Sequence, residues 1–265
     1  MRLGIAAIGM IGPGITGWEA DKAILNQAKV FDLKAELPPL KPELLPANER
    51  RRTTPLIKLA LQAAQDALGQ WQGDSTKLGT VFASASGDVD IVDKVITSLL
   101  MPGSPVSPTH FHNSVHNAPA GYWSIATHSH APSTSISAYD ATYAAGLIEA
   151  ATSVIIEQRP VMLVAYDMLL PARMHPFRPL AAPFATSLIL LPENATGVKA
   201  HIEIDVRNQQ AAEDTLPDSA LELLRGGCPA ARSLPLLACL AADRQDRIRI
   251  AGVPGQMLEI RVVPC

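Results

Sequence analysis

The segment that most restricts this chain is 132–167, PSTSISAYDATYAAGLIEAATSVIIEQRPVMLVAYD. Residues 133–139 alternate in polarity, as a half-buried strand does. They run into an alanine-rich helix over 141–158 with only Asp140 between, and VMLVA at 161–165 reads as a further, fully buried strand. A tight strand-to-helix turn presents its residue at the helix N-terminus, where unpaired N–H groups and the helix dipole stabilise an anion. Cysteine there becomes a nucleophile because the thiolate is favoured. Asp140 there is a held carboxylate and a weak base, or an N-cap accepting from the N–H of Thr142 or Tyr143.

The rest of the first two thirds alternates in the same way. Residues 3–10 (LGIAAIGM) are apolar on both faces and read as a first core strand rather than a signal peptide, since Gly9, Gly12, Pro13 and Gly14 interrupt the run. A helix is expected over 18–28, then a proline-rich loop over 37–46. Thr54 as cap and Pro55 at the first position open a helix with Leu56, Leu59, Ala60, Ala63 and Ala67 on one face. Residues 78–84 form a strand and 90–100 a helix with Ile91, Val95 and Leu99 inward. A Pro/Ser/His loop covers 101–112, and Asn117 with Pro119 opens a helix over 118–127. Strands follow at 185–191 and 201–206, then a helix at 218–225 and a terminal hairpin in RIRIAGVPGQMLEIRVV. The order predicts an α/β fold with a largely parallel sheet, in one compact domain.

Composition excludes several function classes. With 265 residues, 18% charged and 48% apolar, the chain can bury a sizeable core. A net charge of −3 with both signs interspersed gives no field for nucleic acid or an anionic membrane. No stretch reaches the ~20 apolar residues of a membrane span. Cys228, Cys239 and Cys265 form no framework, which suits a reducing cytoplasm. The glycines at 9, 12 and 14 lack the spacing and lysine of a nucleotide-binding loop.

On the residues from Gly121 to Asp167, and on HNSVHNAPAGYWS at 112–124, the chain resembles the beta-ketoacyl synthases. That family shows a Thr-Ala-Cys elbow before an alanine-rich helix, a strand ending in Ala-Gly-Gly, and an Asn-x-x-Ala-Gly segment upstream. Alignment back from Ala150–Ala151 puts Ala138 at the threonine, Tyr139 at the alanine and Asp140 at the cysteine. The resemblance implies a thiolase-like layered fold (α-β-α-β-α), with residues 1–192 as a complete N-terminal half and 193–265 as a shortened C-terminal half packed on it. The departures are equally informative. The nucleophile is absent, and nothing after Asp167 resembles the His-Gly-Thr or Asn-x-x-x-His-x-x-Gly segments that supply the family's two histidines. A decarboxylative condensation needs a thiolate to hold the acyl chain and imidazoles to stabilise the developing anion.

The chain is therefore most similar to the short chain-length-factor-like homologues of aryl-polyene-type pathways. That resemblance implies a non-catalytic subunit, with no cofactor of its own, paired with a ketosynthase across the strand before the elbow, 133–138. An acyl carrier protein would bring its phosphopantetheine arm to the partner's cysteine. Tyr139, Asp140, Tyr143, Trp123, Phe111, His112 and His116 are the residues expected near the seam or the partner's acyl tunnel. The ordinary reading of each aromatic is a core residue.

Other readings stay open at this point. Asp140 with His112 or His116 is a candidate acid/base pair for hydrolysing or decarboxylating an acyl thioester, and a free-standing acyl-binding protein is a third possibility. His110-x-His112-x3-His116 mimics a metal site but lacks cysteine or acidic ligands. Arg50–Arg52 read as a solvated basic edge before a helix, or as a contact for a carrier protein's phosphate. Cys228 reads as a structural thiol.

Overall fold

The computed structural model describes residues 1–208 and 211–265. Eight strands form one mixed sheet. In chain order they are β1 (Arg2–Ile11), β2 (Gly79–Ala83), β3 (Ser133–Ile136), β4 (Val161–Asp167), β5 (Phe184–Pro192), β6 (Ala200–Arg207), β7 (Asp246–Ala251) and β8 (Met257–Pro264). The helices are α1 (Trp18–Leu25), α2 (Ala47–Arg52), α3 (Pro55–Leu68), α4 (Val89–Leu100), α5 (Pro108–Asn113), α6 (Ala118–Thr127), α7 (Thr142–Glu157), α8 (Ser219–Gly227) and α9 (Leu234–Ala241).

Strands lie in the order β3-β2-β4-β5-β1-β6-β8-β7. Only β3, β2 and β4 are parallel, and every other neighbour is antiparallel. The expectation of a largely parallel sheet is thus corrected. Two of the seven strand pairings, β2–β3 and β2–β4, are parallel, whereas β1 and β5–β8 pair antiparallel. The mixed α/β class holds, with helices on both faces of a single described sheet. β6, β8 and β7 extend that sheet through the β1–β6 pairing.

Two cores flank the sheet. Leu3, Ile5, Ile8 and Met10 of β1 face α7, α1, α8 and α9, whereas Ala6, Ala7 and Ile11 face α3 and α6. Strict alternation would not put Ile5 and Ile8 on the same side. A bulge between Ile5 and Ala7 supplies the extra residue and switches the parity. On the second face the Thr54 hydroxyl accepts from the Ile57 N–H at 3.2 Å, as the sequence predicts, and Leu56, Leu59, Ala60, Ala63 and Ala67 are buried.

Several local expectations change. Arg50–Arg52 are not a bare edge but the last turn of α2, where cations favour the helix dipole. Of the residues placed inward on α4, Ile91 is buried but Leu99 is 68% exposed. That helix carries a second apolar stripe of Val92, Ile96 and Leu100, and all three are exposed. The loop at 101–112 contains α5, and the apolar run 229–241 holds a 3-10 turn and α9. Among the described residues no helix is long and apolar enough to cross a membrane.

Candidate functional site

The elbow is longer than its sequence suggests. β3 ends at Ile136, and a 3-10 turn over Tyr139–Ala141 precedes α7. Tyr139 adopts the left-handed conformation at φ 53. For a bulky residue this costs on the order of 1 kcal/mol. Thr142 offsets that strain. Its hydroxyl accepts from the Ala138 N–H at 3.0 Å and donates to the Tyr139 carbonyl at 2.6 Å, so it braces both sides of the turn.

Asp140 is not an N-cap, because neither the 3-10 turn nor α7 has a side-chain cap. Its carboxylate points outward, 57% exposed, and accepts from an Arg178 guanidinium N–H at 2.9 Å. The same guanidinium lies over the Tyr139 ring, 3.6 Å from its centroid. Arg178 is only 16% exposed, and its Nε is buried without a partner. No signal in the sequence connects this arginine, in a proline-punctuated loop, with an elbow 38 residues earlier.

The candidate residues separate into groups. Trp123 and Tyr143 are fully buried on opposite faces of the sheet, Trp123 with Phe82 and Tyr166, and Tyr143 with Leu147 and Leu163. Burial pushes the Tyr143 phenol well above its ordinary range, and its hydroxyl has no partner. Phe111 and Tyr139 are exposed, at 67% and 63%. His112 packs edge-on against Tyr122, whose hydroxyl donates to Asn113. His116 Nε2 donates to the Ser84 carbonyl at 3.1 Å. The polar partner of Asp140 is therefore Arg178, and neither histidine hydrogen-bonds it among the described residues. No group of three metal-binding side chains comes together among those residues.

Asp167, at the end of β4 and two residues past the strand expected at 161–165, is a buried carboxylate. Burial pushes its carboxyl up to about 7, against hydrogen bonds from the Ala85 and Ala230 N–H groups and the Ser84 hydroxyl. Asp88 caps α4 by accepting from the Ile91 N–H. Burial also raises its carboxyl, and the nearby Thr54 hydroxyl offsets part of that without satisfying Oδ2. A cleft of about 320 Å³ opens beside Asp88, walled by Pro55, Leu56, Leu169 and Leu170.

The two edges of the sheet differ. At β7 the Asp214 N–H donates to the Arg249 carbonyl and the Asp214 carboxylate accepts from the Arg249 N–H, so that edge is partly covered. At β3 the Pro132 and Ile136 carbonyls accept from β2. By alternation the backbone groups of Ser133 and Ser135 face the open side. Exposed apolar side chains lie on α4 (Ile96, Leu99, Leu100), on α5 (Phe111), at the elbow (Tyr139) and in the loop before β5 (Phe177). Arg173 ties the loop carrying Phe177 to Asp93 of α4 at 3.2 Å. An open strand edge is a template on which another strand can pair.

Residues 23–246 match the family described as beta-ketoacyl synthase, N-terminal domain. The chain belongs to the beta-ketoacyl synthase family. No curated protein sequence matches it. Among solved structures, a chain of the ketosynthase ApeO in complex with its chain length factor ApeC, from Xenorhabdus doucetiae, is similar at a TM-score of 0.75 and 22% identity, over 98% of this chain and 99% of that one. A chain of the ishigamide ketosynthase/chain length factor reaches 0.75 at 13% identity, over 100% and 99%. So does a chain of the AntDE:AntF complex, a type II polyketide synthase acyl-carrier protein with its ketosynthase bound to the hexaketide, at 12% identity and the same coverage. At these identities the likeness is one of fold, and it runs the length of both chains. In this synthase-family chain, the elbow holds an ion-paired carboxylate.

Proposed function

We propose that this chain is a chain-length-factor-like subunit, non-catalytic on its own, that pairs with a ketosynthase and shapes the partner's acyl tunnel in polyene- or fatty-acid-type biosynthesis. The observation that carries this reading is Asp140. At the turn where the resemblance calls for a thiolate, an exposed carboxylate is ion-paired to Arg178. An exposed carboxylate paired to an arginine is a poor nucleophile toward a thioester. The open β3 edge and the apolar residues around it are the seam across which the partner would add its own strand. Tyr139 and Phe111, both exposed, would meet the partner's tunnel. Trp123 and Tyr143 support the elbow from within the two cores.

In this reading the chemistry is the partner's. An acyl carrier protein brings its phosphopantetheine arm to the partner's cysteine, and this chain needs no cofactor. Residues 193–265 serve as a pared-down second half-fold carried on β1. The three free cysteines fit the reducing cytoplasm in which we place the protein.

Co-expression with the ketosynthase encoded nearest to it tests the reading. The expected result is a stable one-to-one complex that extends acyl chains, together with a poorly soluble lone chain. A well-behaved monomer that turns over acyl thioesters by itself, and loses that activity in Asp140→Asn, would overturn it.

A further inference from the structure

The Tyr139 ring is held unusually firmly for a side chain that the core does not bury. Its backbone is locked left-handed by the two Thr142 hydrogen bonds. One face of the ring lies under the Arg178 guanidinium at 3.6 Å. Arg178 is itself fixed, being largely buried and ion-paired to the carboxylate of the very next residue, Asp140. A single arginine thus closes a triangle of ring, cation and carboxylate. The loop that carries it is tied at Arg173 to Asp93 of α4, so its approach to the elbow is set from two points.

An exposed tyrosine normally samples several rotamers, and a mobile ring makes a poor wall. The cation takes one ring face and leaves the other face and the edge open beside β3. We propose that Arg178 is a positioning residue: it fixes the Tyr139 ring as the stop against which the partner's growing acyl chain ends. This rests on the pairing proposed above, and it assigns the limit on chain length to one clamped ring. Asp140, at the old nucleophile position, becomes the anchor of the clamp.

The test has two arms. The first reads the clamp directly. The chain has four tyrosines, at 122, 139, 143 and 166, so a tyrosine-labelled sample gives a short aromatic spectrum in which Tyr139→Phe identifies the signal of that ring. Arg178→Ala should move the Tyr139 signal to its unstructured position, while those of the buried Tyr122, Tyr143 and Tyr166 stay in place and report an intact fold. Arg178→Lys, which keeps the charge but loses the planar stack, should fall between. The second arm reads the product-length distribution of the complex, reconstituted with ketosynthase, acyl carrier protein and a malonyl-type extender. Arg178→Ala and Tyr139→Ala should both raise the share of products beyond the wild-type limit by about tenfold, a change within reach of a lost stack and ion pair. Tyr139→Phe should leave the distribution unchanged, and Arg178→Lys should again be intermediate.

If Arg178→Ala leaves the Tyr139 signal unmoved, the clamp is overturned. If the signal moves, the complex still forms and the lengths stay wild-type, the positioning role is overturned. A wild-type pair that never associates overturns the pairing itself and this length-setting role with it, while the tyrosine spectra still report on the clamp.

Discussion

The carboxylate of Asp167 accepts the Ala230 N–H at 2.9 Å, joining the end of β4 to the turn that leads into α9. Its other oxygen accepts from the Ala85 N–H at 2.9 Å and the Ser84 hydroxyl at 3.2 Å. Arg178, Cys228 and Tyr166 are the titratable groups that interact with it electrostatically. Burial pushes this carboxyl up to about 7 from its ordinary 3.8. Below about pH 4 both folded and unfolded chains hold the proton, and Asp167 carries no penalty. Between about pH 4 and 7 the folded chain holds a proton that the unfolded chain has released, so stability falls as pH rises, by on the order of 4 kcal/mol in all. Burial raises Asp66 and Asp88 too, so both act in the same direction. Urea unfolding should therefore give a lower midpoint at about pH 8 than at about pH 5. In Asp167→Asn the difference should shrink. An amide N–H facing a backbone donor costs about 1–3 kcal/mol, so the variant should be less stable than wild type at the lower pH.

Gly9 sits in β1 where α3 crosses it. A Cβ there would lie 2.1 Å from the Ala63 carbonyl oxygen and 2.8 Å from the Ala67 nitrogen. Both are backbone atoms that cannot turn aside. Gly9→Ala should lower stability by about 3 kcal/mol, because the helix must lift off the sheet. Gly121 of α6 is the control, since nothing lies within 4 Å of its Cβ position. Gly121→Ala should raise stability by up to about 1 kcal/mol through helix propensity. Chemical denaturation of the two variants checks both signs.

What the sequence made legible was local. The Thr54-capped helix, α6, the buried first strand and the terminal hairpin stand where periodicity and turn residues place them. What it hid depends on distant partners. β5 and β6 lie on either side of β1 because their apolar faces are shared there, and no local pattern states direction. α9 lacks a 3.6-residue polar face because Leu234, Leu236, Leu237 and Cys239 are all buried, so its helical period is erased. At the site, the position of Asp140 was readable from the helix that follows it. Its partner was not, because Arg178 reaches the elbow from a loop with no period at all. Asp167 likewise looks like an ordinary strand end until Ala230 folds onto it.

The thiols differ sharply in environment. Cys228 and Cys239 are buried, and Cys265 is exposed. Burial drives the Cys228 thiol far above its usual range and pushes Cys239 up to about 11. Since the thiolate is the reactive form, an aromatic disulfide reagent should label one thiol of the folded chain quickly and all three in urea. Cys265→Ser should abolish the fast phase. Fast labelling that survives this substitution would mean that the α8–α9 region opens readily.

The seam makes the sharpest demand on the proposed pairing. Leu99 of α4 is 68% exposed, so its side chain contributes little to the stability of the lone chain. Ser135 faces the open side of β3 by its backbone, and its hydroxyl has no partner to lose. Leu99→Glu places a charge in an apolar contact, and Ser135→Pro removes an N–H from the edge that the partner strand would bond. Each should weaken the complex with the ketosynthase by roughly a hundredfold, the size expected for a central contact. The melting temperature of the lone chain should hardly move. Leu223→Glu on α8, exposed at 64% and outside the proposed seam, should leave affinity unchanged. Binding measured by calorimetry or by co-elution at stepped dilution separates the three variants. If Leu99→Glu and Ser135→Pro bind as wild type while Leu223→Glu does not, the partner sits on the α8 side and the open β3 edge has another use.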